Sequence, residues 1–318
     1  MSCSIPLWNQ LLHSFYKRHC CSRNFQRRLL SSSGSLFPPS VLYSDNHLLV
    51  VNKPAGWHSI PHDKQDTTTE YYERNHSKCL LSFAKRNRWG GGSNNDFLLP
   101  LHRIDQPCSG ILIFGKTSKA ASRVTTIWKK DGVVKDYLCV ISSYGLPRLL
   151  QASTLLSDKQ RRPQHEHVGE SGIWYHLEGT MQQKSPQRTR SVVIYPHFST
   201  ASSRPPLSIG RRVHVSWKRL DSRRNPRYCL IQVQTTLGAR HMVRALLAQV
   251  GNCPIAGDVR YYPSTHPPES FILPDKSVAL HAYRVSLDPS LRLGRLNKYI
   301  FEAPIPASWA DFFGIHDS

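Results

Sequence analysis

Acidic residues are what this chain has least of. Only 21 Asp and Glu stand against 42 Lys and Arg, a formal net charge of +21 over 318 residues, and the first carboxylate is Asp45. Such an imbalance carries no information about fold but favours polyanionic partners, nucleic acid first and an acidic membrane surface next. No stretch approaches the roughly 20 consecutive apolar residues of a membrane-spanning helix, which argues against a spanning protein. The eight cysteines (3, 20, 21, 79, 108, 139, 229 and 253) contain no C-x-x-C spacing, so neither a disulfide framework nor a zinc site is indicated. The "HEH" at 165–167 lies among Arg, Gln and Gly and reads as solvated loop surface. No internal repeat is present, and the length suits one large domain or two ordinary ones.

The acid-free opening is itself a signal. Residues 1–40 hold Lys17, Arg18, Arg23, Arg27 and Arg28 among many Ser, the composition of an organellar transit peptide, expected to be disordered. A basic arm that grips RNA is the alternative. Removing these residues leaves 37 basic and 21 acidic side chains, a net +16, so the positive charge belongs to the remaining domain as well.

From residue 41 onward, short strands are punctuated by turns. His47 to Asn52 reads as a buried strand closed by Lys53-Pro54-Ala55-Gly56. Residues 62–97 suggest a helix and a flexible loop, and Ile111 to Phe114 another strand. Ser118 to Lys129 has helical spacing with Ser118 as cap, followed by a strand at "KDYLCVIS". Segment 145–190, rich in Pro, Gln, Arg and His, reads as a surface excursion with room for a hairpin around "GIWYHLEG". Strands resume at "SVVIYP", "RVHVSWKRL" and "YCLIQVQTT". "ARHMVRALLAQVG" reads as an amphipathic helix ended by Gly251 in a left-handed turn. Strands mixed irregularly with helices predict an α+β fold.

One short segment concentrates the chemistry. "PLHRIDQPCSGILIFGKTS", 100–118, sets His102, Arg103 and Asp105 just before a wholly apolar run. A carboxylate there needs a partner cation, because an unpaired buried charge loses more solvation than packing returns. Held on a tight turn it suits attack on, or stabilisation of, an electron-poor carbon such as an anomeric centre; a salt-bridged turn is the bland alternative.

The segment resembles the H-R-L-D-x-x-T-S-G-L-L-L signature of the RluA family of RNA pseudouridine synthases. The likeness continues in order through "VVNKPAGW", "KDYLCVI", "GARHMVRALLAQVGNCPIAGDVRYY", "LHAYRVSL" and "FEAPIPASW", spanning about residues 41 to 310. It implies a catalytic domain over 41–314 with a mixed, largely antiparallel sheet and flanking helices. It implies a reaction that detaches uracil N1 from C1′ of a uridine in RNA and rejoins the ring through C5, with no cofactor or metal. The uracil anion stays in the site, so one carboxylate suffices where glycosidases use two. Asp105 would be that carboxylate, bonded to the sugar or acting on its C2′ proton. Tyr137 would be catalytic too, lying against the flipped uracil as a stacking face and as a base for the C5 proton, and Arg244 would pair with Asp105, keeping it ionised and oriented. Arg103 would fill the space left by the extruded nucleotide. His102, Lys53, His241 and Arg240 would contact substrate, Lys53 through phosphate. Without the resemblance, Tyr137 reads as a strand tyrosine, Arg244 as a solvated helix residue and Lys53 as a turn lysine.

Three positions depart from the pattern. Ala239 stands where the family has Arg, with Arg240 one place later; Met242 replaces Gln and Cys108 replaces Thr. A small-then-basic pair before the His resembles the family's mitochondrial branch, in keeping with the transit-type N-terminus. The expected partners are RNA (ribosomal, transfer or messenger) and mitochondrial ribosome-assembly factors, and the expected state is a matrix monomer. No small RNA-binding domain is expected ahead of residue 41. The competing reading is a catalytically silent RNA-binding or ribosome-assembly protein; a nucleoside hydrolase fits less well, since those enzymes use a carboxylate cluster and a metal.

Overall fold

A computed structural model describes residues 38–61, 78–90, 97–156, 173–182, 192–196, 210–220, 227–264, 271–288 and 299–312. The stretch 165–167 and most of 1–40 lie outside them. The described residues build a twelve-stranded mixed sheet. Its strands are β1 (Ser40–Ser44), β2 (Leu48–Lys53), β3 (Leu99–Pro100), β4 (Ser109–Gly115), β5 (Val133–Ser142), β6 (Thr154–Leu155), β7 (Trp174–Gln182), β8 (Ile194–Pro196), β9 (Gly210–Leu220), β10 (Tyr228–Thr235), β11 (Leu280–Leu287) and β12 (Ile300–Glu302). The order is β1-β2-β4-β11-β5-β10-β9-β7-β6, with β12 beside β11, β3 beside β4 and β8 beside β7. Among these described strands only β4 and β11 pair in parallel, through Ser109–His281 and Gly110–Ala282.

Strands β2 and β4 carry no polar alternation because both faces are covered. Leu48, Val50, Ile111 and Ile113 pack on one face with Ala120 and Val124. Those two belong to a helix, Ser118–Lys129. Leu49, Val51, Leu112 and Phe114 pack on the other face with Leu80 and Ala84 of the helix Leu80–Arg86. We call the earlier of these helices α1 and the later α2. The period of two thus sorts one apolar strand into two layers. The other helices among the described residues are α3 (Leu146–Gln151), α4 (Met242–Ala245), which widens into a π-turn over Leu246–Val250, and α5 (Ala307–Phe312).

Four details differ from the sequence reading. The cap of α2 is Thr117, whose extended backbone lets its hydroxyl accept from the Ala120 N–H, rather than Ser118. Part of segment 145–190 is sheet: β7 pairs with β9 along nine residues, Trp174 to Gln182, and buries Trp174 and Leu177. Its outward His176 and Glu178 are only half-buried, which gives the stretch its polar composition. Every residue of α4 is buried, so it is a core helix and not an amphipathic one. Gly251 has φ of −75° and is not left-handed; a Cβ there would press on Leu149 Cδ1 and the Leu247 carbonyl at 2.7 Å, so close packing is what requires glycine.

The largest correction concerns Lys53. Its side chain is fully buried. Its ammonium donates to the carbonyls of Pro54 (3.0 Å), Trp57 (2.9 Å), Gln106 (3.4 Å) and Cys108 (2.6 Å), leaving nothing to offer a phosphate. It ties the turn after β2 to the turn before β4. Burial pushes its pKa down to about 7, with opposing contributions from Cys108 and Asp105.

Two measurements follow from this framework. Gly110 has φ of +117°, and a Cβ would fall on the Ala282 backbone; Gly110→Ala should therefore lower unfolding stability by about 2–4 kcal/mol, read from the urea midpoint. Lys53→Met strips the donor from buried carbonyls and should cost about 3 kcal/mol, where a phosphate-contacting lysine would leave the midpoint unmoved. The pH dependence fixes the role further. Below about 7 folded and unfolded Lys53 are both charged; between there and its ordinary 10.5 only the unfolded chain holds the proton. Wild-type stability should climb with pH across that window, and Lys53→Met should lose that component of the slope.

Candidate active site

The turn that carries Asp105 is pinned on several sides. Cys108 N–H closes it by donating to the Asp105 carbonyl at 3.0 Å, Gly56 N–H donates to the Gln106 carbonyl at 2.7 Å, and Val278 N–H to the Pro107 carbonyl at 2.9 Å. The Ser59 hydroxyl donates to the Ile104 carbonyl at 2.8 Å and sits 3.0 Å from the Ile104 N–H. With the Lys53 clamp, backbone from 53–59 and from 278 holds 104–108 in place. The Asp105 side chain stays half-exposed on this pinned turn.

Its partner is the cation expected from the sequence. Arg244 Nη1 donates to Asp105 Oδ2 at 2.9 Å. The rest of the guanidinium is held by Asp258, Nε to Oδ2 at 2.7 Å and Nη2 to Oδ1 at 2.8 Å. A two-point fork fixes the plane of an arginine as a single contact does not, so Asp258 determines where Nη1 points. The side chains of Arg244 and Asp258 are 4% and 1% exposed, while that of Asp105 is 23% exposed. Two members of the triad are sealed, and the third opens outward. Burial opposes the charge on Arg244, but the bonds and charge of Asp258, with Cys108 and Asp105, outweigh it and raise its pKa.

Asp258 and Tyr261 are the site residues that sequence reasoning left without a role, although "GDVRYY" matched the family's G-D-x-x-Y. Gly257 adopts φ of +79° against the Ser277 carbonyl, an approach only glycine permits, and this delivers Asp258 beneath Arg244. Tyr261 receives the Arg244 guanidinium over its ring, 5.5 Å from the centroid. Its hydroxyl sits 3.0 Å from His241 Nδ1.

His241 joins the cluster. Its backbone is left-handed, φ 55°, immediately before α4, and its Nε2 lies 3.5 Å from Asp105 Oδ1. Burial lowers its pKa more than the Asp105 charge raises it, so the ring is neutral at physiological pH. Tyr137 lies on β5 opposite Ala282, which on its other side pairs with Gly110. Its acidity is suppressed, first by burial and next by the charge of Asp105, so it presents a neutral hydroxyl and a ring face. Use as a base would require a deprotonation that both causes oppose.

The other sequence candidates fall elsewhere. Arg103 is exposed, two residues before Asp105. His102 accepts from the Ile113 N–H at 3.1 Å and packs on Trp128. Burial, with the charge of Lys135, pushes its pKa down to about 3; it completes the edge of β4. Arg240 is exposed and precedes the helix. Met242 is buried core. The Cys108 thiol is pushed up to about 12 by burial, so it stays a thiol. Among the described residues no three His, Cys, Asp or Glu side chains are grouped as metal ligands.

The arrangement holds a half-exposed carboxylate beside a fixed cation, a neutral imidazole and a tyrosine ring. The RNA pseudouridylate synthase family model matches residues 47–249. A tRNA pseudouridine synthase C of Pectobacterium carotovorum is 23% identical over an aligned length of 263 residues, with 77% of this chain and 54% of that protein covered. The chain thus spans about half the length of this relative. The dual-specificity RNA pseudouridine synthase RluA of Haemophilus influenzae is 37% identical over 83 residues, 26% of this chain and 30% of that one. The structure of human RNA Pseudouridylate Synthase Domain Containing 4 superposes with a TM-score of 0.54 at 17% identity, covering 86% of this chain and 90% of that chain, a likeness of fold. Motifs that lie far apart in sequence meet at Asp105, and the chain belongs to the RluA-type branch of the RNA pseudouridylate synthase family.

Proposed function

We propose that this chain isomerises uridine to pseudouridine in RNA, with Asp105 as the catalytic carboxylate. The observation that carries the reading is the Arg244 Nη1 contact to Asp105 at 2.9 Å, with the rest of the guanidinium immobilised on Asp258. The N1–C1′ bond breaks, the C5–C1′ bond forms, and the C5 proton is replaced by one at N1, so atoms balance without a co-reactant. Asp105 acts on the sugar while the uracil anion spreads its charge over two carbonyls. Tyr137 supplies the face against which the base turns. Arg103, exposed beside Asp105, occupies the gap in the stack once the nucleotide is out. The names of the relatives support RNA as substrate, with transfer RNA the class named for the first of them. The acid-free, Arg-rich segment 1–40 supports import into the mitochondrial matrix, where the basic domain would meet its RNA.

Asp105→Asn keeps the size of the side chain and an acceptor for Arg244 but removes the charge. Pseudouridine formation on RNA from cells lacking the protein should fall by about 10³-fold or more, with RNA affinity kept within a few-fold. Undiminished pseudouridine would end this assignment of Asp105, and no pseudouridine even with the wild type would favour the silent RNA-binding alternative. Separately, residues 1–40 fused to a fluorescent protein should carry it into mitochondria. A reporter that stays diffuse in the cytosol would remove the localisation from the proposal.

A further inference from the structure

Helix α1 is tied to the active-site turn. Leu80 N–H donates to the His58 carbonyl at 2.8 Å, and Ser59 holds Ile104, which itself packs on the Leu80 and Ala84 cluster. Trp57, whose carbonyl binds Lys53, meets Phe83 edge-on at 5.3 Å. The helix therefore sits next door to Asp105, and its solvent side is strongly basic. Lys78, Lys85, Arg86 and Arg88 are exposed, and no acid occurs between 78 and 90.

The end of this helix carries a strained residue. Arg88 N–H donates to Lys85 O and Trp89 N–H to Ala84 O, both at 3.0 Å. This is the paired-bond ending in which the residue after the C-cap turns left-handed. That residue is normally glycine, yet here it is Arg88 at φ 53°. The apolar contact that accompanies such endings is present, Trp89 against Phe83 at 5.3 Å. A side chain is kept where glycine would be easier, and such outliers point to use of the side chain. We propose that the basic edge of α1, Lys85 and Arg88 above all, binds phosphates of the RNA strand flanking the uridine that enters the Asp105 site. The proposal rests on the reading of the chain as an RNA-modifying enzyme and adds the surface along which the RNA runs.

A matched control exists within the fold. Helix α2 exposes Lys119 and Arg123 but packs on the opposite face of β2 and β4. Full-length wild type, Lys85→Gln/Arg88→Gln, Lys119→Gln/Arg123→Gln and Arg88→Gly are titrated with a fluorescein-labelled, uridine-rich single-stranded RNA over a range of salt. The α1 pair should lower the slope of log affinity against log salt by about 1.4, from about 0.7 per phosphate contact. It should raise KM severalfold with kcat unchanged, and the α2 pair should do neither. Arg88→Gly should bind RNA more weakly while its urea midpoint rises, a combination that a purely structural arginine does not give. An unchanged salt slope in the α1 pair, equal losses in both pairs, or RNA affinity kept by Arg88→Gly would each overturn the assignment. An edge built for an acidic protein partner would give the first of these outcomes. Failure of the enzymatic reading appears separately, as absence of pseudouridine with the wild type, and leaves the RNA titration intact as a test of α1.

Discussion

A guanidinium shared unequally between two carboxylates holds the site together. Arg244 gives two of its contacts to the buried Asp258 and one to the half-exposed Asp105. The inequality matters. Were both carboxylates equally buried, the cluster would be a sealed ion pair whose desolvation cancels much of its attraction. With one of them open to solvent, the buried half supplies rigidity and the exposed half keeps its free lone pairs for a ligand. The surroundings are neutral for a different reason. His241, Cys108 and Tyr137 are each biased by burial toward their uncharged forms, so none of these three competes with Asp105 for the cation.

Much of the fold was legible because its signals are local. The unbroken apolar runs of β2 and β4 and the alternation in β10 each come from burial on two faces or one, and that leaves a period in the sequence. The pairing of Arg244 with Asp105 was legible through ordered motifs. Illegible were features produced only by tertiary contact. Lys53 looks like a surface lysine because lysine is rarely buried, and nothing local announces four converging carbonyls. Asp258 lies 14 residues from Arg244 and outside the helix that carries it, so no periodicity joins the two. Its one marker was the Gly-Asp pair, whose glycine is needed for a backbone approach to Ser277. His102 is the converse case: motif membership suggested a ligand contact, while the structure engages its ring in finishing the edge of β4.

The departures from the family pattern also take on physical meaning. Cys108 in place of Thr fills a buried position whose backbone serves Lys53, a task indifferent to the side chain's polarity. Met242 faces the core, where an amide would need partners of its own. Both substitutions leave the contacts among Asp105, Arg244 and Asp258 intact.

The position of β11 has a consequence for how the chain matures. This late strand is inserted between β4 and β5, which follow each other in sequence and are joined through α2. A ribosome releases β4 and β5 well before the strand that separates them, and Arg244, which orients Asp105, comes 139 residues after it. Non-local pairings of this kind form slowly and only once both partners are free. A partly synthesised chain thus holds Asp105 before the cation that orients it exists, and the arrangement of Asp105, Arg244 and Asp258 closes only after the late segments have joined the sheet.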